Sequence, residues 1–267
     1  MTQPRVALLG VPSDDHSSFL RGAAGAPDLV RREMFSEQGN PYTELGVDLR
    51  SPSVMIDVGN VAIEETERDR TTIEESVTDQ LRAGRRVLSI GGDHSITYPI
   101  LRAYAKEYGV LSIVHFDAHP DMYPSFQGDA YSHASPFARI LEDGLVVQLV
   151  QIGIRTLSPP QLALVEKYGV HVFAPWQLHE ARNALPRGDV YVSLDLDGLD
   201  PAFAPGVSHR EPGGLTVRDV LELVKAIPGT IVGADVVEYN PKQDINGVTA
   251  SVAAKFAREF IGLMASA

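Results

Sequence analysis

The chain has 267 residues, of which 44% are hydrophobic, so it can bury a sizeable core. Lys and Arg number 23 and Asp and Glu number 35, and the resulting net charge of −12 argues against a nucleic-acid binder or an anionic-membrane binder. The absence of cysteine excludes disulfide scaffolds, Cys-ligated zinc sites and thiol nucleophiles.

The sequence offers no candidate for a targeting or membrane segment. The apolar run near the N-terminus, VALLG, is too short for a signal peptide. No stretch approaches the roughly 20 apolar residues that span a bilayer. We therefore expect a cytoplasmic protein that binds neither a membrane nor a nucleic acid.

Short β-branched and leucine-rich runs recur along the chain, and several, such as VVQLV and SIVHF, are apolar at consecutive positions. Such runs are typical of strands that are buried on both faces of a parallel sheet. The predicted strands cover residues 5–9, 54–57, 86–90, 111–116, 146–152, 170–173, 189–195 and 230–237.

Helical segments fall between these strands and have recognisable ends. Pro27 and Asp28 suit the start of a helix, and Gly84 suits the position just after one. Ser135 and Pro136 form a typical pair of N-cap and first helical residue. The predicted helices cover residues 27–38, 69–83, 96–107, 135–143, 160–168, 176–184, 216–227 and 248–263.

This alternation of strands and helices predicts an α/β fold with a mainly parallel sheet. No Gly-, Pro- or Ser-rich linker and no repeat divides the sequence, so we expect one domain over residues 1–267. In open α/β sheets, ligands bind beyond the carboxyl ends of the strands. The loops that follow strands are therefore where a functional site is expected, and the long irregular stretch 196–213 is one of them.

Three segments that follow predicted strands are rich in metal-ligand side chains. They are GGDHS at 91–95, DAHPD at 117–121 and DLDGLDP at 195–201. One such segment alone is commonly a helix cap or a solvated turn. Three in one chain, each directly after an apolar strand, predict a shared metal site.

The spacing within these segments brings the ligands to one point. At the end of a strand, residues i and i+2 point to the same face, which pairs Asp117 with His119 and Asp195 with Asp197. Asp121 can return to that point through the turn after Pro120. The candidate ligands are His94, Asp117, His119, Asp121, Asp195 and Asp197.

Four carboxylates packed together without a cation would repel one another strongly. Six ligands dominated by oxygen are too many for one tetrahedral zinc ion, but they suit two Mn²⁺-type ions that share bridging carboxylates. Two adjacent ions can lower the pKa of a shared water and present it as hydroxide. The sequence therefore predicts a binuclear site, with Mn²⁺ as the first choice and Ni²⁺ or Co²⁺ as alternatives.

The motifs GGDHS, DAHPD and SLDLDGLDPAFAPG resemble the signatures of the ureohydrolases, the family of arginase and agmatinase. The resemblance runs from GVPSD near the N-terminus to GADVVEYNP near the C-terminus, nearly the whole chain. It implies a three-layer α/β/α fold with an eight-stranded parallel sheet. It also implies hydrolysis of a guanidino group to urea and an amine by two Mn²⁺ ions, in a homo-oligomer that is a trimer or a hexamer.

The resemblance also implies a role for each site residue. His94 and Asp121 would bind one ion, His119 and Asp197 the other, and Asp117 and Asp195 would bridge both. Asp121 would accept the proton of the attacking hydroxide. His133, in YSHAS, would pass a proton to the leaving amine, and Glu238, in ADVVEYNP, would bind the substrate guanidinium. His133 and Glu238 would thus both be catalytic residues and both contact the substrate.

The rest of the substrate is less sharply defined. The segment DMYPSFQGDAYSHASPF lacks the Ser-Gly-Asn run of arginases, and Ser158 has no carboxylate close by in sequence, which weakens recognition of an α-amino group. The Tyr-Ser-His stretch is more similar to agmatinases, so agmatine is the first choice. Ala134 and the loop GVSHREPGG depart from agmatinases, so arginine, guanidinobutyrate and formimidoylglutamate stay open.

Two alternative functions, a deacetylase and a non-catalytic metal-binding protein, belong to other functional classes than guanidine hydrolysis. A metal-dependent amine deacetylase has a similar general fold but needs one metal, and six intact ligands argue against it. A non-catalytic metal-binding protein would not need His133 and Glu238. Metal stoichiometry tests the first alternative, and urea release tests the second.

Further residues carry weaker expectations. In the long loop, His209 is a candidate for substrate contact, and Arg210 is a candidate to attract a substrate carboxylate. Arg21 either lines the pocket or holds its loop. Asp200 is a candidate partner for a metal-ligating histidine, whereas His115, within an apolar strand, is expected to be a buried core residue.

Overall fold

The computed structural model describes residues 4–267. Strands and helices alternate over this range, and each predicted strand is present. The strands are β1 (Val6–Val11), β2 (Met55–Asn60), β3 (Arg86–Gly91), β4 (Leu111–Phe116), β5 (Val146–Ile152), β6 (His171–Phe173), β7 (Asp189–Asp195) and β8 (Thr230–Val237).

These strands form one eight-stranded sheet in the order β2-β1-β3-β8-β7-β4-β5-β6. Every neighbouring pair runs parallel. Strands β1 and β4 are buried at all positions, whereas the edge strand β2 is partly exposed. The expectation of a parallel, eight-stranded sheet is therefore confirmed.

The helices lie between the strands in sequence. They are α1 (Ala26–Met34), α2 (Asp69–Arg82), α3 (Thr97–Tyr108), α4 (Pro136–Glu142), α5 (Pro159–Tyr168), α6 (Leu178–Asn183), α7 (Val217–Lys225) and α8 (Val248–Ser266). Helix α1 ends at Met34, earlier than predicted, and the next residue, Phe35, is 50% exposed and does not belong to the buried core. Within residues 4–267, none of the helices has both the length and the apolarity that crossing a bilayer requires.

The two faces of the sheet bury separate apolar layers. Leu88 and Ile90 of β3 belong to a core with residues of α1, α6, α7 and α8, whereas Val87 belongs to a core with residues of α2, α3, α4 and α5. This alternation follows the two-residue period of a strand. It confirms the three-layer α/β/α architecture. The single domain over 1–267 remains a prediction, and residues 1–3 lie outside the described range.

Two glycines let backbone segments meet at the carboxyl edge of the sheet. A Cβ atom at Gly92 would overlap the carbonyl oxygen of Ser13, and one at Gly198 would lie 2.7 Å from the backbone nitrogen of Asp117. A side chain at Gly92 would push apart the loops that follow β1 and β3. A side chain at Gly198 would push apart the loops that follow β4 and β7. These loops carry the predicted metal ligands.

Candidate active site

All six predicted ligands meet at the carboxyl edge of the sheet, where they form two groups of side chains. His94, Asp117, Asp121 and Asp195 offer ligand atoms that all lie within 4.8 Å of one another, and Asp117, His119 and Asp197 form the second group. Asp117 belongs to both groups. Five of the six residues are buried, and His119 is partly exposed.

The orientation of His94 leaves one ring nitrogen facing carboxylates. The Ser193 hydroxyl donates to Asp235 Oδ1 at 2.7 Å, so it accepts the Nε2 proton of His94 at 2.9 Å. The other nitrogen, Nδ1, lies 3.0 Å from Asp121 Oδ2 and 3.3 Å from an oxygen of Asp195. This nitrogen makes no geometrically acceptable hydrogen bond within residues 4–267. A cation between Nδ1 and these oxygens would satisfy all of them.

A buried histidine orients Asp117, the shared ligand. His115 is fully buried, as expected, and its Nε2 lies 2.8 Å from Asp117 Oδ2. Its other nitrogen, Nδ1, accepts the side-chain amide of Gln151 at 3.0 Å, which places the ring proton on Nε2. Burial, the largest effect, lowers the pKa of His115 to about 4, so the ring stays neutral. His115 therefore donates to Asp117.

The second group is fixed by backbone donors as well as by its histidine. His119 Nδ1 lies 3.2 Å from Asp197 Oδ2, and the backbone nitrogen of His119 donates to Asp117 Oδ1 at 2.6 Å. The backbone nitrogen of Asp197 donates to Asp195 Oδ1 at 2.7 Å. Burial raises the pKa of Asp197 to about 7, and that of Asp121 to about 6.

Two site residues have a backbone conformation that L-residues rarely adopt. Asp121 has φ 49° and Glu238 has φ 64°, both in the left-handed region. Such a conformation costs roughly 1–3 kcal/mol and persists only where surrounding contacts enforce it. The turn at Asp121 brings its carboxylate back to His94, as the sequence predicts.

His133 and Glu238 form a buried pair beside the ligand groups. His133 Nδ1 lies 2.9 Å from Glu238 Oε1, which also accepts the backbone nitrogen of His94 at 3.0 Å. Burial opposes a charge on His133, but Glu238 and nearby aspartates raise its pKa to about 9. Its other nitrogen, Nε2, lies 2.8 Å from Ser18 Oγ. Ser18 has no motif signal in the sequence.

A cavity of about 430 Å³ opens onto both ligand groups. It is lined by Ser18, His119, Asp121, Tyr123, Phe126, His133, Ala134, Thr156, Leu157, Ser158, Gln161, Asp195, Asp197, His209 and Glu211. Glu211 is its one carboxylate outside the predicted ligands, and across residues 4–267 no Lys or Arg side chain lines it. No motif in the sequence singles out Glu211, since this residue lies far from Ser158 along the chain.

The structure places two predicted arginines outside this cavity. Arg210 is exposed, and its guanidinium donates to the carbonyl oxygens of Pro205 at 2.8 Å and Gln243 at 3.0 Å. The expectation that it attracts a substrate carboxylate therefore has no support. Arg21 donates to Asp14 at 3.0 Å and holds its loop. His209, in contrast, does line the cavity.

Asp200 does not contact a metal-ligating histidine. Its carboxylate accepts the backbone nitrogens of Ala202 at 2.9 Å and Gly213 at 2.7 Å. It therefore shapes the long loop. The expectation of a histidine partner was wrong for this residue, because the partner of His94 Nε2 is Ser193.

The donor set fits two divalent cations. Four carboxylates and two imidazoles provide mostly oxygen ligands, which suits Mn²⁺-type ions and exceeds what one tetrahedral zinc ion needs. The unpaired Nδ1 of His94 marks the first ion position, and the shared Asp117 would link it to the second.

Comparison with known proteins finds similarity over nearly the whole described chain. A family model described as "Arginase family" matches residues 4–262. The mitochondrial arginase of Medicago truncatula is 47% identical over 97% of this chain and 81% of its own length. A solved arginase structure from the same plant has a TM-score of 0.92 at 44% identity, covering 98% of this chain and 87% of that one. The N(1)-aminopropylagmatine ureohydrolase of Thermus thermophilus is 39% identical over 90% of this chain and 84% of its own length.

Proposed function

The chain belongs to the arginase family, and we propose that it hydrolyses the guanidinium of a small substrate that carries an amino group at its other end. Family members are hydrolases that act on guanidino groups. Agmatine, which would give urea and putrescine, is the first-choice substrate. One observation carries the proposal: a single cavity joins both ligand groups to His133 and to the lone carboxylate of Glu211.

Two Mn²⁺ ions are proposed as the cofactor. His94 and Asp121 would hold one ion, His119 and Asp197 the other, with Asp117 and Asp195 shared between them. When bound, the ions would supply an activated water for attack on the guanidinium carbon. The membership of Asp117 in both ligand groups supports this assignment. Ni²⁺ and Co²⁺ remain alternatives.

The protein side chains bind the substrate and move protons. Glu238 is 3% exposed and is not among the residues that line the cavity. Both hydrogen bonds that it receives, from His133 and His94, end at Oε1, so Oε2 is the oxygen proposed to accept an N–H group of the guanidinium. Asp121 is proposed to accept the proton of the attacking water. His133, which Glu238 holds in place, is proposed to supply the proton that the leaving amine requires.

Glu211 supports an amino group at the far end of the substrate. Glu211 lines the same cavity as the ligand groups, and among the described residues no Lys or Arg lines it. A positively charged amine would gain a charge-assisted hydrogen bond from Glu211. A carboxylate in that place would meet the like charge of Glu211. Guanidinobutyrate and formimidoylglutamate are therefore disfavoured.

Arginine is the second candidate, because the Medicago truncatula relative is named an arginase. Its α-amino group would meet Glu211 in the same way as agmatine. Its α-carboxylate would have to rely on uncharged donors among the lining side chains, such as Thr156, Ser158 and Gln161. We expect this arrangement to bind arginine more weakly than agmatine.

The proposal is tested by product release from Mn²⁺-loaded protein. Urea is measured with agmatine, arginine and guanidinobutyrate, and formamide with formimidoylglutamate. We expect the highest kcat/KM with agmatine. A Glu211→Gln variant should raise the KM for agmatine about 10- to 150-fold, because one charge-assisted contact is worth roughly 1.5–3 kcal/mol, and should not raise the KM for guanidinobutyrate.

Arg210→Gln provides the matched control, because it changes a neighbouring charge outside the cavity. This variant should change the KM for every substrate to the same small extent. Two results would contradict the proposal that Glu211 binds an amino group at the far end of the substrate. One is a higher kcat/KM of the wild-type protein with guanidinobutyrate than with agmatine. The other is an equal loss of kcat/KM with every substrate in Glu211→Gln.

Assembly and location also remain proposals. We propose a homo-oligomer, a trimer or a hexamer, in keeping with the family. We propose a cytoplasmic location, although the Medicago truncatula relative is named as mitochondrial. The mass of the native particle in solution tests the first, and cell fractionation tests the second.

A further inference from the structure

The loop that carries Ser18 is anchored on both sides of this residue. The carbonyl oxygen of His16 accepts the backbone nitrogen of His133 at 3.2 Å, and the Ser17 hydroxyl donates to Asp93 at 3.1 Å. Beyond Ser18, the carbonyl oxygen of Leu20 accepts the Ser208 hydroxyl at 3.0 Å and the side-chain amide of Asn240 at 2.6 Å. These bonds fix the position of Ser18 relative to the cavity.

Both ring nitrogens of His133 are engaged within the described part of the chain. Nδ1 pairs with Glu238 at 2.9 Å, and Nε2 lies 2.8 Å from Ser18 Oγ. His133 is only 7% exposed, whereas Ser18 is partly exposed and lines the cavity. A proton that leaves Nε2 therefore has Ser18 Oγ as its nearest acceptor.

We propose that Ser18 is a catalytic residue that relays the proton of His133 to the leaving amine. The inference rests on the proposed function, since it assumes that a guanidinium is cleaved in this cavity. His133 and Ser18 both line the cavity, and Ser18 Oγ lies 2.8 Å from Nε2, the ring nitrogen of His133 that does not pair with Glu238. Glu238 and Ser18 then engage the two ring nitrogens of His133, and Ser18 passes the proton on to the substrate.

The proton balance of the step closes. When the C–N bond breaks, its electron pair goes to the amine nitrogen, which takes the hydroxyl proton of Ser18. At the same time Ser18 Oγ takes the Nε2 proton of His133, so the serine is unchanged. The proton that the attacking water passed to Asp121 then restores His133. The hydroxyl proton of the tetrahedral intermediate ends on the released amine, and the products are urea and an ammonium ion.

The relay is tested with Ser18→Ala. We expect kcat for the preferred guanidino substrate to fall about 10- to 100-fold, with KM changed less than about threefold, because the lost proton transfer acts in the transition state. Ser18→Thr retains a hydroxyl and should recover most of the activity. Ser17→Ala is the matched control, since its hydroxyl bonds to Asp93 and does not line the cavity.

A second substrate separates proton transfer from loop positioning. An oxyguanidine analogue releases a weakly basic alkoxyamine, which needs less help from an acid, so the loss in Ser18→Ala should shrink to roughly threefold or less. The same loss with both leaving groups, or an equal loss in Ser17→Ala, would overturn the relay. Wild-type activity in Ser18→Ala would overturn the relay alone. A wild-type protein that cleaves no guanidine would overturn the proposed function, and the relay with it.

Discussion

Buried carboxylates dominate the chemistry of this site at the scale of single residues. Burial raises the pKa of Asp195 well above its usual value, and its neighbours Asp197 and Asp117 add to that effect. Burial opposes a charge on His119, but the same two aspartates raise its pKa well above the usual range. Without metal, the cluster therefore holds protons. Two divalent ions would replace those protons and keep the carboxylates ionised.

This proton uptake predicts how stability depends on pH in the presence of a chelator. The folded-state pKa of Asp197 is raised to about 7, and that of His119 also lies above its unfolded value. Between about pH 6 and pH 9 the folded state thus holds protons that the unfolded chain has released, so the free energy of unfolding falls as pH rises. The melting temperature in chelator should fall over this window.

Mn²⁺ provides the control for that experiment. Metal binding displaces the same protons, so the gap in melting temperature between Mn²⁺ and chelator should widen with pH. At a metal concentration about 100 times Kd, binding adds about 2.7 kcal/mol, or roughly 5–10 °C for a chain of this size. A gap that stays constant or narrows from pH 6 to pH 9 would contradict the role of these ligands.

The motifs predict which ligands meet, but they do not reveal what orients them. His115 is correctly predicted as a buried residue, yet its bond to Asp117 depends on Gln151, which lies on the neighbouring strand β5. Ser18 and Glu211 reach the cavity from loops that are far apart in sequence. Contacts of this kind depend on strand order and loop path, which a two-residue period does not encode.

At the scale of elements, the strands are easier to predict than the helices. Strand β4 coincides with a continuous run that is buried at every position, because both faces of the sheet are covered there. Strand β5 is also predicted correctly, although its first half is partly exposed. Helix ends depend instead on which residues the core can reach. Helix α6 begins at Leu178 and not at Trp176, whose side chain is 80% exposed.

The packing of helix α3 on strand β8 can be tested by adding one methyl group at Gly233. Helix α3 lies so close to β8 that a Cβ atom at Gly233 would overlap the hydroxyl of Tyr104. That fully buried hydroxyl also accepts the backbone nitrogen of Val87 at 3.2 Å, so it cannot move freely. Gly233→Ala should lower the free energy of unfolding by about 1–3 kcal/mol, as overpacking does. Denaturant unfolding measures this change.

Gly25→Ala is the matched control for that substitution. Gly25 has φ −78°, which alanine adopts without strain, and a Cβ atom there would lie 3.6 Å from Pro241, an ordinary contact. This variant should be neutral or stabilised by about 0.4–1 kcal/mol. Equal stability of the two variants would show that α3 does not pack on β8 as described.

At the scale of the whole molecule, strand order assembles the site. Strands β3, β8, β7 and β4 are consecutive in the centre of the sheet. The segments that follow them carry His94, Glu238, Asp197 and Asp117, which are far apart along the chain. The sequence alone predicts that these loops share one edge of a parallel sheet. It does not predict that β3 pairs with β8 rather than β4, since hydrophobic periodicity carries no information on strand neighbours.

The measurement that tests the whole account most directly is urea release as a function of the number of Mn²⁺ ions bound per chain. With agmatine as substrate, the rate should rise to a plateau at two ions per chain, because each ligand group then holds one ion. A plateau at one ion would contradict the binuclear site. Two bound ions without urea from agmatine or arginine would contradict guanidine hydrolysis.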